Sequence, residues 1–316
     1  MRVMLAFDGS VGAVAARDVV AHLRWPAGTA ITVVAALERS RDLFGAPEWA
    51  VVPRDAAESE ALILSDLQET LRQAAEPLRT PDRIVETRVV RGRPATALLD
   101  EATALKPNLI VIGSRGHGPM ATVLLGSVST EVADHAPCPV LVARRPSVHR
   151  MIVAVDGSES AQRAVATLST WPIFAGLAAR VVAVAEPRTA WGTSIGAAFY
   201  PAWGELGGAT VSDRRDQLTD IAVRACERLG SAGLAATTEL REGAPADQLI
   251  RAADADGADL IVLGSRGLST LPRLLLGSVA RSVLLHAPVS VLILRDTKEQ
   301  VQAEGAGRAP TAAGVS

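Results

Sequence analysis

Leu109-Ile-Val-Ile-Gly113-Ser-Arg-Gly116, followed after nine residues by Gly126-Ser127, is the stretch on which the fold turns. It returns as Leu260-Ile-Val-Leu-Gly264-Ser-Arg-Gly267 and, again after nine residues, Gly277-Ser278. Four apolar residues in a row, without alternation, fit a strand buried on both faces. A glycine loop behind such a strand, with a helix opening after it, presents backbone N–H groups to an anion. The loop length is kept to the residue, so the chain carries one arrangement twice.

The duplication extends outward from there. Arg2-Val-Met-Leu-Ala-Phe-Asp8-Gly9-Ser10 is echoed by Met151-Ile-Val-Ala-Val-Asp156-Gly157-Ser158, and Gly92-Arg-Pro94-Ala95 by Gly243-Ala-Pro245-Ala246. Asp8 and Asp156 lie 148 apart, whereas Gly92 and Gly243, like Gly113 and Gly264, lie 151 apart. Three residues are therefore gained in the second copy. Their expected place is Pro187 to Ala209, opposite the irregular stretch from Glu38 to Arg54.

Apolar runs predict strands at 3–7, 30–37, 84–90, 109–112 and 139–143, and helical periodicity fills 11–24, 55–77, 94–105 and 127–135. The second copy predicts strands at 151–155, 180–185, 235–240, 260–263 and 290–294. Alternation of this kind implies right-handed βαβ units. The expected fold is α/β: two tandem doubly wound, Rossmann-like domains, each a five-stranded parallel sheet flanked by helices. The domains are read as 1–145 and 149–296, divided near Arg144 to Arg150. A tail at 297–316, rich in small and polar residues, is expected to be disordered.

Composition narrows the function. Net charge is −2 with both signs interspersed, and aromatics make up 3%. Neither a basic surface nor stacking platforms are available, so nucleic acid is not expected as a partner. No apolar run approaches the roughly 20 residues that span a bilayer, and the first strand starts at once. No membrane association and a cytoplasmic location are the expectation. Cys138 and Cys226 do not occupy matching places in the repeats, which argues against a disulfide or metal framework. Cys138, between Pro137 and Pro139, reads as a small buried residue.

Doubly wound sheets bind ligands at the carboxyl ends of strands where the strand order reverses. With the order 3-2-1-4-5, that reversal brings Asp8 beside Gly113 and Asp156 beside Gly264. Phosphate belongs on the glycine loop and at the helix N-terminus near Ser127 or Ser278. Glycines there allow close backbone approach and positive φ. A carboxylate at Asp8 or Asp156 repels phosphate, so it suits the other end of a nucleotide, accepting from adenine or a ribose hydroxyl. The plainer alternative is an Asp that caps the following helix. Arg115 and Arg266 are read either as phosphate contacts or as solvated loop residues. Ser127 and Ser278 are read as helix caps, phosphate donors or both. Pro94 and Pro245 suit a first helical position, and His135 and His286 can meet the last carbonyls of their helices.

Taken together, these residues resemble the universal stress protein family in its tandem, ATP-binding form. The family pattern Gly-x2-Gly-x9-Gly-Ser/Thr is met by Gly113, Gly116, Gly126 and Ser127, and again by Gly264, Gly267, Gly277 and Ser278. The resemblance spans residues 1–295. It implies ATP, with Mg²⁺, in each crevice. Asp8 and Asp156 would lie by the adenosine, with Arg115, Val128 and Ser129, and Arg266 and Val279, beside the loops. It also implies pairing of sheets through the fifth strands and further association into a homodimer; it names no protein partner. Ser129, a hydroxyl the family often uses near the phosphates, has Ala280 as its counterpart. The second site is thus expected to bind more weakly by about 0.5–1.5 kcal/mol.

Three functions are compatible with these residues. The leading one is a nucleotide-dependent regulator of stress response or growth state. In it ATP would bias the segments at 38–54 and 187–210, which hold Trp49, Trp191, Tyr200 and Trp203. A slow ATPase or adenylating enzyme is the second. Lys106 and Lys298 are the only lysines and neither sits in a glycine loop, so the usual phosphoryl-transfer set is missing and no catalytic residue is assigned. A nucleotide-free partner-binding module is the third.

Overall fold

In the computed structural model the described residues are 1–38, 54–116, 125–186, 211–267 and 276–295. The aromatic residues of the two irregular segments, His117, Leu268 and the tail expected to be disordered lie outside them.

The first half runs β1 (Arg2–Ala6), α1 (Val11–His22), β2 (Thr29–Leu37), α2 (Arg54–Ala75), β3 (Arg83–Arg91), α3 (Pro94–Leu105), β4 (Leu109–Gly113), α4 (Ser127–His135) and β5 (Val140–Ala143). The second repeats it as β6 (Arg150–Val155), α5 (Glu159–Thr170), β7 (Ala178–Ala185), α6 (Val211–Ser231), β8 (Ala235–Glu242), α7 (Pro245–Ala255), β9 (Leu260–Gly264), α8 (Ser278–His286) and β10 (Ser290–Leu294).

Within each half all strand pairs are parallel, in the order β3-β2-β1-β4-β5 and its equivalent β8-β7-β6-β9-β10. The expected strand order and the α/β doubly wound class are thus observed. The halves join into one ten-stranded sheet because β5 and β10 pair antiparallel, Leu141 opposite Leu292. That pairing covers the edge each half would otherwise expose. It also turns one half over relative to the other in the plane of the sheet. The carboxyl ends of the first half's strands and those of the second therefore lie at opposite edges.

The hydrophobic pattern explains the layers. Alternate residues of β1 go to opposite faces: Val3 and Leu5 pack with α1 and α2, Met4 and Ala6 with α3 and α4. The second half sends α5 and α6 to the first face and α7 and α8 to the other. Each face is a single apolar cluster that crosses the junction between halves. Val148, inside the segment read as a linker, is fully buried in one of them.

The three extra residues can now be located. Gly92 N–H donates to Leu37 O, and Gly243 N–H to Ala185 O. Leu37 and Ala185 are still 148 apart, so the gain falls between Ala185 and Gly243, an interval that contains the expected segment.

The outer strands β3 and β8 are half-exposed and carry Arg83, Glu86, Arg88 and Arg91, and Glu239, Arg241 and Glu242. Charge on an edge strand opposes pairing with a further chain.

Candidate functional site

The crevice of the first half is built by the ends of β1 and β4. β4 is buried along its length, and its last residue, Gly113, meets the start of α1 at very close range. A Cβ on Gly113 would lie 2.3 Å from Gly12 C and 2.6 Å from Ala13 N. Conversely, a Cβ on Gly12 would lie 2.3 Å from Arg115 O. Two glycines are what let helix and loop touch. In the second half Gly264 is equally hemmed in, its Cβ position falling 2.7 Å from Ser160 Oγ and 2.9 Å from Ser160 C.

Asp8 and Gly116, 108 residues apart in sequence, meet across this crevice. A Cβ on Gly116 would stand 2.6 Å from Asp8 Oδ2; on Gly267 it would stand 3.0 Å from Asp156 Oδ2. The other oxygen of each carboxylate accepts the N–H two residues on, Ser10 at 3.0 Å and Ser158 at 2.9 Å. This is an Asx turn, which local chain geometry favours for Asp. The helix cap belongs to the serines: Ser10 Oγ accepts from Ala13 N–H at 3.2 Å and Ser158 Oγ from Ala161 N–H at 3.1 Å. The capping alternative for Asp8 and Asp156 is thereby corrected, because the hydroxyl two residues closer to the helix fills that role.

Two further readings need correction. Positive φ falls at Gly9 and Gly157, and at Gly92 and Gly243, not at the strand-end glycines Gly113 and Gly264 or at Gly126 (φ −78°) and Gly277 (φ −63°). The loop glycines act through the missing Cβ rather than through a left-handed backbone. Ser127 and Ser278 are not caps either. Gly126 and Gly277 occupy the N-cap positions without a side-chain bond, and the serines are the first helical residues, exposed to solvent.

The remaining candidates are spread along the same edge. Arg115 is exposed and Arg266 half-buried; Val128 and Val279 are half-buried on the first turn of their helices. Ser129 is buried, and its hydroxyl donates to Ser114 O at 3.1 Å. Ser114 O also accepts from Gly126 N–H at 2.7 Å, the bond that fixes the start of α4 to the loop. Ser265 O accepts the matching bond from Gly277 N–H at 2.8 Å, and Ala280 adds nothing to it.

Gly126 differs from Gly113 in one useful respect. Its Cβ position meets its nearest neighbours at 3.5–3.6 Å, ordinary contact distance, and its φ suits any residue. Packing against the described residues does not demand glycine there. At Gly277 the neighbours stand at 3.3–3.5 Å.

Several contributors were missed in the sequence. Ser10 Oγ donates to Arg115 O at 3.0 Å, tying the first turn of α1 to the glycine loop. Ser160, which replaces Gly12, accepts from Arg266 N–H at 3.2 Å and does the same job by another route. The repeat offset of 148 would have drawn attention to both positions, but their bonds depend on how close the loop lies.

Elsewhere the chemistry is quiet. Burial pushes the Cys138 thiol up to about 12, which removes it as a nucleophile. His135 Nδ1 and His286 Nδ1 sit 3.0 and 2.8 Å from the carbonyls of Glu131 and Ser282, as the ends of α4 and α8 predict. Among the described residues no cluster of His, Cys, Asp and Glu has metal-binding geometry, and no helix is long and apolar enough to cross a membrane.

Comparison with known proteins agrees with this architecture. A Thermus aquaticus universal stress protein is 35% identical over 147 residues, covering 45% of this chain and 97% of that protein. A universal stress protein of Mycobacterium tuberculosis is 28% identical over 242 residues, covering 74% of this chain and 76% of its own. The crystal structure of a universal stress protein from Archaeoglobus fulgidus superposes with a TM-score of 0.62 at 18% identity, over 93% of this chain and 98% of that one. The universal stress protein family profile matches twice, over residues 1–144 and 147–295, and the chain belongs to that family.

Proposed function

We propose that each half binds an adenine nucleotide, ATP with Mg²⁺, and that the protein acts as a nucleotide-dependent regulator rather than as an enzyme. The observation that carries this reading is the meeting of the strand-end Asp with the glycine loop, made twice in one chain. Phosphates lie over the loop and the N-terminus of α4 or α8, where N–H groups and the helix dipole favour negative charge. Asp8 and Asp156 face the nucleoside end, where a carboxylate accepts hydrogen bonds without opposing the phosphates. Glycine at Gly126, where the described neighbours leave room for a side chain, suits the close approach of a ligand. Lysine is absent from the described loop residues, which favours binding over turnover.

Isothermal titration of nucleotide-stripped protein with ATP and Mg²⁺ tests the reading. Two sites per chain are expected, one lost in Asp8→Ala and the other in Asp156→Ala. Absence of binding to the wild-type chain sinks it, and steady ATP turnover abolished by Asp8→Ala would replace it with the enzymatic reading.

A further inference from the structure

One helix in each half runs from its own candidate site to the neighbourhood of the other. α4 opens at Gly126 and Ser127 beside the first glycine loop and, nine residues long, spans about 13.5 Å before Ala136 ends it. There Arg295, the residue after β10, donates from Nη1 to Ala136 O at 2.9 Å and Asp134 O at 3.3 Å, and from Nη2 to Ala133 O. The second half returns the contact. Arg144, the residue after β5, donates from Nη2 to Leu284 O at 2.6 Å, in the last turn of α8, and from Nη1 to Val289 O at 3.3 Å. Arg144 and Arg295 are 151 apart, as are Ala133 and Leu284, so the repeat relates the two contacts. The last carbonyls of a helix lack partners within it, and a cation there also suits the dipole.

Each arginine is tied to its own glycine loop. Ser114 N–H donates to Ala143 O at 3.0 Å and Ser265 N–H to Leu294 O at 2.9 Å, the carbonyls just before Arg144 and Arg295. The same serines hold Gly126 and Gly277. A closed circuit results: loop one, Arg144, α8, loop two, Arg295, α4, and back to loop one. Charge follows the same path. Burial pushes Arg144 down to about 10, with the like charge of Arg115 adding to the effect. Burial also lowers Arg295; Cys138 and Asp134 oppose that shift, and Arg266 adds a smaller push in the lowering direction. An anion on either loop offsets that repulsion.

We propose that Arg144 and Arg295 are positioning residues that couple the two nucleotide sites, each holding the helix whose N-terminus serves the opposite half. This rests on the nucleotide-binding reading above. Coupling of this kind is reciprocal: whatever occupancy of one site does to the other, the other does in return.

The test uses the full chain with one site disabled. In an Asp156→Ala background, where the first site remains, Arg295→Gln is expected to weaken ATP binding by about five-fold, the loss expected when one hydrogen bond that positions α4 is removed. Arg144→Gln in that background should weaken it less. In an Asp8→Ala background the order reverses. Arg295→Lys, which keeps a cation at the end of α4, should recover part of the loss, and it carries the comparison if the glutamine variant does not fold. Loss confined to the arginine's own side, or equal loss at both sites, overturns the proposal. If the wild-type chain binds no nucleotide, the functional reading fails separately and hydrogen exchange reads the linkage. Arg295→Gln should then speed exchange at the far end of α4, at Gly126 and Thr130, and not at Gly277 and Arg281. Acceleration limited to the last turn of α4 overturns the linkage.

Discussion

Gly113 and Gly126 belong to one motif, yet the fold asks different things of them. At Gly113 an added methyl group would lie 2.3 Å from backbone, and the backbone at the start of a helix cannot step aside cheaply. Gly113→Ala should therefore destabilise the chain by about 1–3 kcal/mol, the usual range for overpacking. At Gly126 the same methyl meets neighbours at 3.5 Å or beyond, so Gly126→Ala should change stability by no more than about 0.5 kcal/mol. Its effect should appear in ATP affinity, where the methyl occupies the approach path of the ligand. Denaturant titration and calorimetric binding on both variants separate the two roles. Loss of stability in both, with affinity unchanged in Gly126→Ala, would mean that the second glycine is structural too.

At the scale of elements, α1 and α5 start alike but are fastened differently. The Ser158 hydroxyl caps its helix by accepting from Ala161 N–H, whereas the Ser10 hydroxyl, besides accepting from Ala13 N–H, donates to Arg115 O. Ser158→Ala should cost about 1 kcal/mol. Ser10→Ala should cost a further 0.5–1.5 kcal/mol or so for the bond to the loop. Equal losses in urea melts would show that this bond adds nothing to stability. The elements themselves were legible in the sequence because unbroken apolar strands and a repeat fixed to the residue leave few alternatives. The strand order of the doubly wound class then puts Asp8 beside Gly113, but the approach of its carboxylate to Gly116 was not evident there. The caps were not legible: Asp8 and Ser10 both suit an N-cap, and only the path of the backbone decides between them. Nor was the distinction between Gly113 and Gly126, which depends on what lies within 4 Å of each. Arg144 and Arg295 stood at the repeat spacing all along, but their partners lie in the other half, where sequence pattern gives no distance.

For the whole molecule, the ten-stranded sheet places the best-buried strands at the middle and the half-exposed ones at the rims. β4, β5, β10 and β9 are buried throughout, while β3 and β8 are half-exposed. Both apolar clusters cross the seam, and Asp134 forms a 2.9 Å ion pair with Arg281 of the other half. Amides of the four central strands should exchange slowest and with matching protection in the two halves, with β3 and β8 opening first. Unfolding should show one transition. Two transitions, or markedly different protection in β5 and β10, would mean that the halves melt as separate bodies. The antiparallel seam has another consequence. Since it sends the two sets of strand ends to opposite rims, a body that docks on the first glycine loop approaches from one pole and a body that docks on the second from the other. A single rigid partner on one rim can therefore reach only one of the two candidate sites directly. If each half binds a nucleotide as proposed, the chain would be a two-ended connector, with a separate nucleotide-dependent surface at each pole.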